Sequence, residues 1–187
     1  MPAQGILIGL AGKARSGKDT VGNYLETQHF FHSTAFADRL KEICAEIFDF
    51  TEEQLWGDLK EEVDPLVGKS PRFCLQYVGT EIARACWPDV WLWHLEKNVR
   101  HWMADGLDMV VTDVRMENEA GLIKDLGGYL IRVDRDQARA SNGVPNHSSE
   151  TALDDWQEWD LVIDNNGSLE ELYAQVDRFI TALRRAA

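Results

Sequence analysis

Apolar residues along this chain follow two periods. Four short runs are apolar at consecutive positions: Ile6–Leu10, Met109–Thr112, Tyr129–Val133 and Leu161–Ile163, each bounded by Gly, Asp or Asn. Short runs without polar alternation predict strands buried on both faces. Ser33–Phe36 predicts a weaker fifth strand. Between the runs the period changes. Leu40, Ile43, Cys44 and Ile47 recur at i, i+3, i+4, i+7, which predicts a helix with Asp38 as N-cap. Leu92, Leu95, Val99 and Trp102 form a second helical stripe. Ser168-x-x-Glu171 has the form of a capping box and opens a last helix carrying Leu172, Val176, Phe179, Ile180 and Leu183.

Strands alternating with helices predict an α/β three-layer sandwich, with a mostly parallel five-stranded sheet and helices on both faces. With no repeat, low-complexity tract or linker, residues 1–187 read as one domain. In such sheets ligands bind beyond the carboxyl ends of the strands. Asp38, Asp113, Arg115, Arg135 and Asn165 follow predicted strands and are expected there. Two polar segments fit neither sheet nor buttressing helix. One spans about residues 51–73, with Pro65, Gly68 and Pro71. The other spans about 134–149, with Arg135, Arg139, Asn142, Gly143, Pro145 and His147. Both are expected to cover a site, the first as an acceptor-side flap and the second as a lid.

The first strand runs into Gly9-Leu-Ala-Gly-Lys-Ala-Arg-Ser-Gly-Lys-Asp-Thr20. Within it Gly12-x-x-x-x-Gly17-Lys18 is the core of a phosphate-binding P-loop. Glycines let the backbone turn and aim N–H groups inward, the following helix adds its positive end, and the lysine reaches the β- and γ-phosphates. A nucleoside triphosphate, ATP, is therefore expected on Gly12, Lys13, Ala14, Arg15, Ser16, Gly17, Lys18, Asp19 and Thr20, and the sheet reads as that of a P-loop NTPase. The motif usually has Ser or Thr after its lysine, as a ligand of Mg2+. Here that residue is Asp19, with Thr20 behind it. A carboxylate beside phosphates needs an intervening cation, so Asp19 is expected to hold Mg2+ through water, with Thr20 on a phosphate oxygen. The alternative is that Asp19 only favours the helix N-terminus.

Composition narrows the partners. The formal net charge is −13, which repels nucleic-acid backbones. No apolar run approaches a membrane span and no leader peptide is expected. Three cysteines, Cys44, Cys74 and Cys86, lack zinc-site spacing and suit a reducing cytoplasm. Homodimerisation is left open, with seven tryptophans as interface candidates. Against so acidic a background, the positions of the basic residues matter.

Phosphoryl transfer needs positioning and cancellation of negative charge more than covalent chemistry. Asp113 ends an apolar strand in the manner of a Walker B acid, and orients Mg2+ or its waters. A plain strand-end or N-cap role is the alternative. Lys18, Arg15, Arg115, Arg135 and Arg139 are the candidate cations for the transferred group. The competing roles are a surface pair of Arg115 with Glu117 or Glu119 and a solvated loop cation at each of Arg15, Arg135 and Arg139. Gln76, Thr80 and Arg84 recur every four residues and share a helix face. They read as a recognition strip, with Arg84 for a phosphate and Gln76 for a base edge, or else as a solvent-facing stripe. Arg72 precedes them. Trp91 is a stacking candidate or a core residue.

These motifs together resemble the deoxynucleoside monophosphate kinases of tailed bacteriophages. The likeness rests on SGKDT at Ser16–Thr20, FADRLKE at Phe36–Glu42, LQYVGTEIAR at Leu75–Arg84 and WPDVW at Trp87–Trp91. VVTDVRMENE at Val110–Glu119, HSSE at His147–Glu150 and VIDNNGSLEEL at Val162–Leu172 complete it. Asp19 after the lysine is itself a feature of that family. The resemblance implies transfer of the ATP γ-phosphoryl to a deoxynucleoside 5′-monophosphate with Mg2+. It also implies that Asp38 and Lys41 act with the middle strip on the monophosphate, and that Asn165 and Gly167 lie near the adenine. A phage or prophage origin goes with it. Two other readings stand beside it: a P-loop kinase for another phosphorylated metabolite, such as phosphomevalonate or dephospho-coenzyme A, and a non-catalytic nucleotide-dependent switch.

Overall fold

The run Leu7–Ala11 is buried at all five positions. Side chains of a strand alternate between faces, so a strand apolar throughout must be covered on both sides. The structure, a computed structural model, describes residues 5–136 and 152–186. It places this strand, β1, at the centre of a five-stranded sheet with β2 (His32–Thr34), β3 (Met109–Val111), β4 (Tyr129–Asp134) and β5 (Leu161–Asp164). The strand order is β2-β3-β1-β4-β5, and every pairing is parallel. All five predicted strands are present, with ends shifted by one or two residues.

Two apolar layers flank the sheet. Ile8, Leu10, Val110 and Ile131 pack with Val21 and Leu25 of α1 (Lys18–His29) and with Leu172, Val176 and Ile180 of a C-terminal helix. Leu7, Val111 and Leu130 face the other way. They pack with residues of α2 (Asp38–Phe48), α5 (Val90–Ala104) and α6 (Glu117–Asp125). The C-terminal helix, α7, spans Leu169–Ala186. Its capping box is made as the sequence predicts: Ser168 N–H donates to Glu171 Oε2 at 2.8 Å, and Glu171 N–H donates to Ser168 Oγ at 3.3 Å. Among the described residues no helix is long and apolar enough to cross a membrane.

Three local expectations are corrected. The buried stripe of α5 is Trp91, Leu95, Val99 and Met103, with Leu92 and Trp102 only half-buried. The helix is turned so that the Trp91 indole meets a buried carbonyl, that of Gly79, at 3.0 Å. Asp38 is not the N-cap of α2. That position is Ala37, with no side-chain cap. The Asp38 carboxylate instead reaches back to accept the Ala35 N–H at 2.8 Å. Finally, β5 is an edge strand whose Val162 is half exposed.

The polar segment at 51–73 is folded. Thr51 and Gln54 form a capping box at α3 (Glu52–Leu55), whose Leu55 is fully buried. A 3-10 turn follows at Asp58–Glu61. Then Ser70 caps α4 (Pro71–Gln76), with Pro71 in the first turn, where its missing N–H costs nothing. The chain then continues as a π-helix over Tyr77–Arg84. The lid segment expected at about 134–149 falls for the most part outside the described residues.

Candidate active site

Beyond β1 the backbone turns tightly and enters α1. Gly12 has φ +150°, and a Cβ there would lie 2.6 Å from both the Val133 carbonyl and Ser16 Oγ. Gly17 has φ +102° and lies against the Asn165 side chain. Only glycine suits either place. Ser16 N–H donates to the Lys13 carbonyl at 3.1 Å, closing the loop. The Ser16 hydroxyl is buried and has no protein partner. The N-cap of α1 is Gly17, which has no side chain to meet the first-turn N–H groups. A loop of inward donors at the positive end of a helix is an anion cradle.

Asn165 braces this cradle. Its Nδ2 donates to the Ser16 carbonyl at 2.7 Å, while its backbone N–H donates to the Asp134 carbonyl at 2.8 Å. The residue expected near an adenine is thus a tie between the end of β5 and the phosphate loop. Gly167 leaves room for the Glu171 carboxylate, which a Cβ would approach to 2.0 Å.

Beside the cradle lies a cavity of about 730 Å3. It gathers Arg15, Lys18, Asp19, Lys41, Arg72, Gln76, Thr80, Arg84, Trp91, Asp113 and Arg115, together with Ala14. Those residues come from five separate stretches of chain. Lys18 is buried, with Nζ 3.7 Å from Asp19 Oδ1. Lys41 sits 5.2 Å from the ring centroid of Trp56. Arg72 Nε donates to Glu61 Oε1 at 2.9 Å. Asp113 accepts N–H bonds from Phe36 and Ala37 at 2.7 and 3.0 Å, so its carboxylate tethers the start of α2 to the end of β3. This is the structural role weighed against a metal role in the sequence, and each oxygen keeps a second lone pair.

Other predicted residues lie elsewhere. Asp38 is off the cavity wall and stands 3.9 Å from Lys41 Nζ, so it bears on the site through that lysine. Thr20 is in the first turn of α1 and off the wall. Lys13 faces the other side of the loop and pairs with Asp154 at 3.2 Å. Arg135, just past β4, is exposed and away from the cavity. Arg139 lies outside the described residues, as do His147, Ser148 and Glu150.

Sequence reasoning missed Trp56, Lys60, Glu61 and Glu119, all on the cavity wall. The first three sit in a charged stretch with no helical or strand period to orient them. Glu119 is 3% exposed. Its Oε1 accepts a bond from Arg84 Nη2, and its Oε2 accepts the backbone N–H groups of Arg115 and Met116 at 2.7 and 3.0 Å. Burial, with Asp113 nearby, pushes its carboxyl up to about 7, against the pull of Arg84 and the two N–H groups.

Burial and the neighbouring Arg72, Lys41 and Arg115 bring the Lys60 ammonium down to about 8. The charge of Lys60 therefore weakens as pH rises through 8. If it helps hold an anionic acceptor, kcat/KM for that acceptor falls above pH 8, because this ratio reports the free enzyme. Lys60→Arg, charged throughout, removes the fall. Profiles from pH 7 to 9 with an acceptor whose own groups do not titrate there check this. A wild-type profile flat through pH 9 excludes the role.

The sequence matches the model of the deoxynucleotide monophosphate kinase family over residues 68–176. It is 37% identical over 185 residues to a protein of Acanthamoeba polyphaga mimivirus described as a deoxynucleotide monophosphate kinase, covering 91% of this chain and 94% of that one. The chain belongs to the deoxynucleotide monophosphate kinase family. A deoxynucleotide monophosphate kinase of Escherichia phage RB69 is 30% identical over 113 residues, 59% of this chain and 45% of that protein. The solved structure of a Cys556Ala mutant of the Mycobacterium tuberculosis APS kinase CysC aligns with a TM-score of 0.47 at 12% identity. The alignment covers 96% of this chain and 99% of that one. By its family the chain is a kinase that acts on nucleotides, and seven basic side chains line the cavity beside its phosphate loop.

Proposed function

We propose that this kinase transfers the γ-phosphoryl group of ATP to a deoxynucleoside 5′-monophosphate, giving the diphosphate and ADP. The observation that carries the reading is the concentration of charge. Arg15, Lys18, Lys41, Lys60, Arg72, Arg84 and Arg115 line one cavity with only Asp19, Glu61, Asp113 and Glu119 against them, in a chain of net charge −13. Seven cations against four carboxylates make a site for two anions, with the P-loop at one end and the strip Gln76, Thr80, Arg84 at the other.

The donor's β- and γ-phosphates rest on the N–H groups of the loop and on Lys18. A phosphate oxygen of the monophosphate, already ionised at neutral pH, attacks the γ-phosphorus in line. The bond to the β,γ-bridging oxygen breaks and ADP leaves. No general base is required, because the nucleophile carries no proton. The residues contribute alignment and charge compensation, which is most of what this reaction needs. Lys18, Arg15 and Arg115 stand where the transferred group passes, while Arg84, Arg72, Lys41 and Lys60 hold the acceptor.

Asp19 and Asp113 suit a magnesium ion that takes most of its ligands from phosphate and water, since both border the cavity beside Lys18. Held there, the ion would supply positive charge against the negative charge of the phosphates. Asp19→Asn is expected to raise the Mg2+ concentration needed for half-maximal turnover about tenfold, as for loss of one charged contact. A magnesium titration with unchanged midpoint removes Asp19 from this role. The activity itself is tested by ADP release across all natural deoxy- and ribonucleoside monophosphates. Turnover dependent on a deoxynucleoside monophosphate supports the reading. Hydrolysis without acceptor dependence overturns it.

A further inference from the structure

One buried carboxylate touches both halves of the cation cluster. Glu119 lies in the first turn of α6, yet its two oxygens serve different partners. Oε1 accepts Nη2 of Arg84, from the π-helix 35 residues earlier. Oε2 accepts the N–H groups of Arg115 and Met116, in the turn that leaves β3. The Arg84 side chain is itself largely buried, and Nη1 donates to the Pro88 carbonyl at 3.4 Å. The guanidinium is thus gripped at two of its five N–H groups, and Arg84 borders the cavity.

Capping a helix does not require this burial. The half of a capping box that Oε2 makes is found on exposed helices, and Glu171 makes it at the exposed start of α7. Taking a carboxylate out of water costs several kcal/mol unless partners meet it. Asp113, close enough to raise the carboxyl further, adds to that cost. What the burial achieves is geometric: one rigid group fixes the side chain of Arg84 and the backbone that carries Arg115.

We propose that Glu119 is a positioning residue that presets Arg84 for the phosphate of the acceptor and sets the turn bearing Arg115 beside the transferred group. This rests on the reading of the site as a deoxynucleoside monophosphate kinase. A glutamine at 119 offers one acceptor oxygen and one NH2 group. It cannot accept from Arg84 on one side and from two N–H groups on the other, so one contact is lost while volume is kept. Removing Arg84 leaves Glu119 nothing to orient at the acceptor end.

The experiment is a double-mutant cycle of Glu119→Gln and Arg84→Ala, with KM for each substrate and kcat measured separately. Glu119→Gln is expected to raise KM for the deoxynucleoside monophosphate by about tenfold while KM for ATP stays within about twofold, as for one hydrogen bond to a charged group. In the Arg84→Ala background it is expected to add less than about twofold, because the two act as one unit. Glu119→Asp, which keeps the charge on a shorter arm, is expected to fall between wild type and Glu119→Gln, and it serves if the glutamine variant does not fold. Equal losses for both substrates, unchanged KM values, or full additivity with Arg84→Ala overturn the positioning role and leave the kinase reading intact. A wild-type enzyme with no monophosphate-dependent turnover overturns both.

Discussion

Lys18→Ala lowers kcat/KM for phosphoryl transfer by on the order of 10³-fold or more, the cost of removing a charge aimed at phosphates. Lys18 begins α1, where the preceding Gly17 turns the backbone and the helix N-terminus adds its own positive end. The ammonium is buried on the cavity wall, and the adjacent Asp19 is exposed. No other basic residue can take its place from the same backbone position, since Arg15 lies across a left-handed turn with φ 65°. Steady-state kinetics with saturating acceptor measure the effect, and the melting temperature shows that the variant folds. Turnover within tenfold of wild type would remove the P-loop from the mechanism.

Arg84→Ala is expected to raise KM for the acceptor by roughly 10²-fold, the scale of a lost bidentate charged contact, with ATP affinity little changed. It also has a consequence for stability. Without its cation Glu119 stays buried beside Asp113, and its carboxyl rises above the value of about 7 that it has with Arg84 present. An acid whose folded pKa exceeds its unfolded value binds more protons folded than unfolded. Stability then falls as pH rises from the unfolded pKa through the folded one. The loss of melting temperature relative to wild type is therefore larger at pH 8 than at pH 6. An acceptor KM unchanged from wild type places the monophosphate elsewhere, and a pH-independent loss of melting temperature shows that Glu119 does not respond.

The bacteriophage-kinase resemblance and the family match agree, and the motif strings that carry it include much of the cavity wall. Arg84, Thr80, Gln76, Arg115 and Asp113 were all legible, because each sits at a helix or strand position that a short pattern fixes. The roles were less legible than the positions. Asp113 reads as a metal acid, yet its carboxylate also holds the backbone of residues 36 and 37. Asn165 reads as an adenine neighbour, yet it ties the end of β5 to the P-loop. Asp38 reads as a cap, yet it closes the turn before its helix. A hydrogen-bond partner is chosen by proximity in space, and short polar side chains accept many partners.

Local chain chemistry alone determined the glycine-built phosphate loop between β1 and α1, the five strands, and the capping box of α7. Each depends on residues within about one turn of one another, so sterics and nearest-neighbour burial suffice. Only the tertiary structure decided that Lys60 and Trp56 reach the same cavity, that Thr80 and Arg84 lie on a π-helix, and that Glu119 holds Arg84. The Glu119–Arg84 contact joins residues 35 positions apart, and the tie of Asn165 to Ser16 joins residues 149 apart. They exist because the parallel order β2-β3-β1-β4-β5 brings the carboxyl ends of distant strands to one edge. No periodicity in a linear chain records which distant loops that edge will collect.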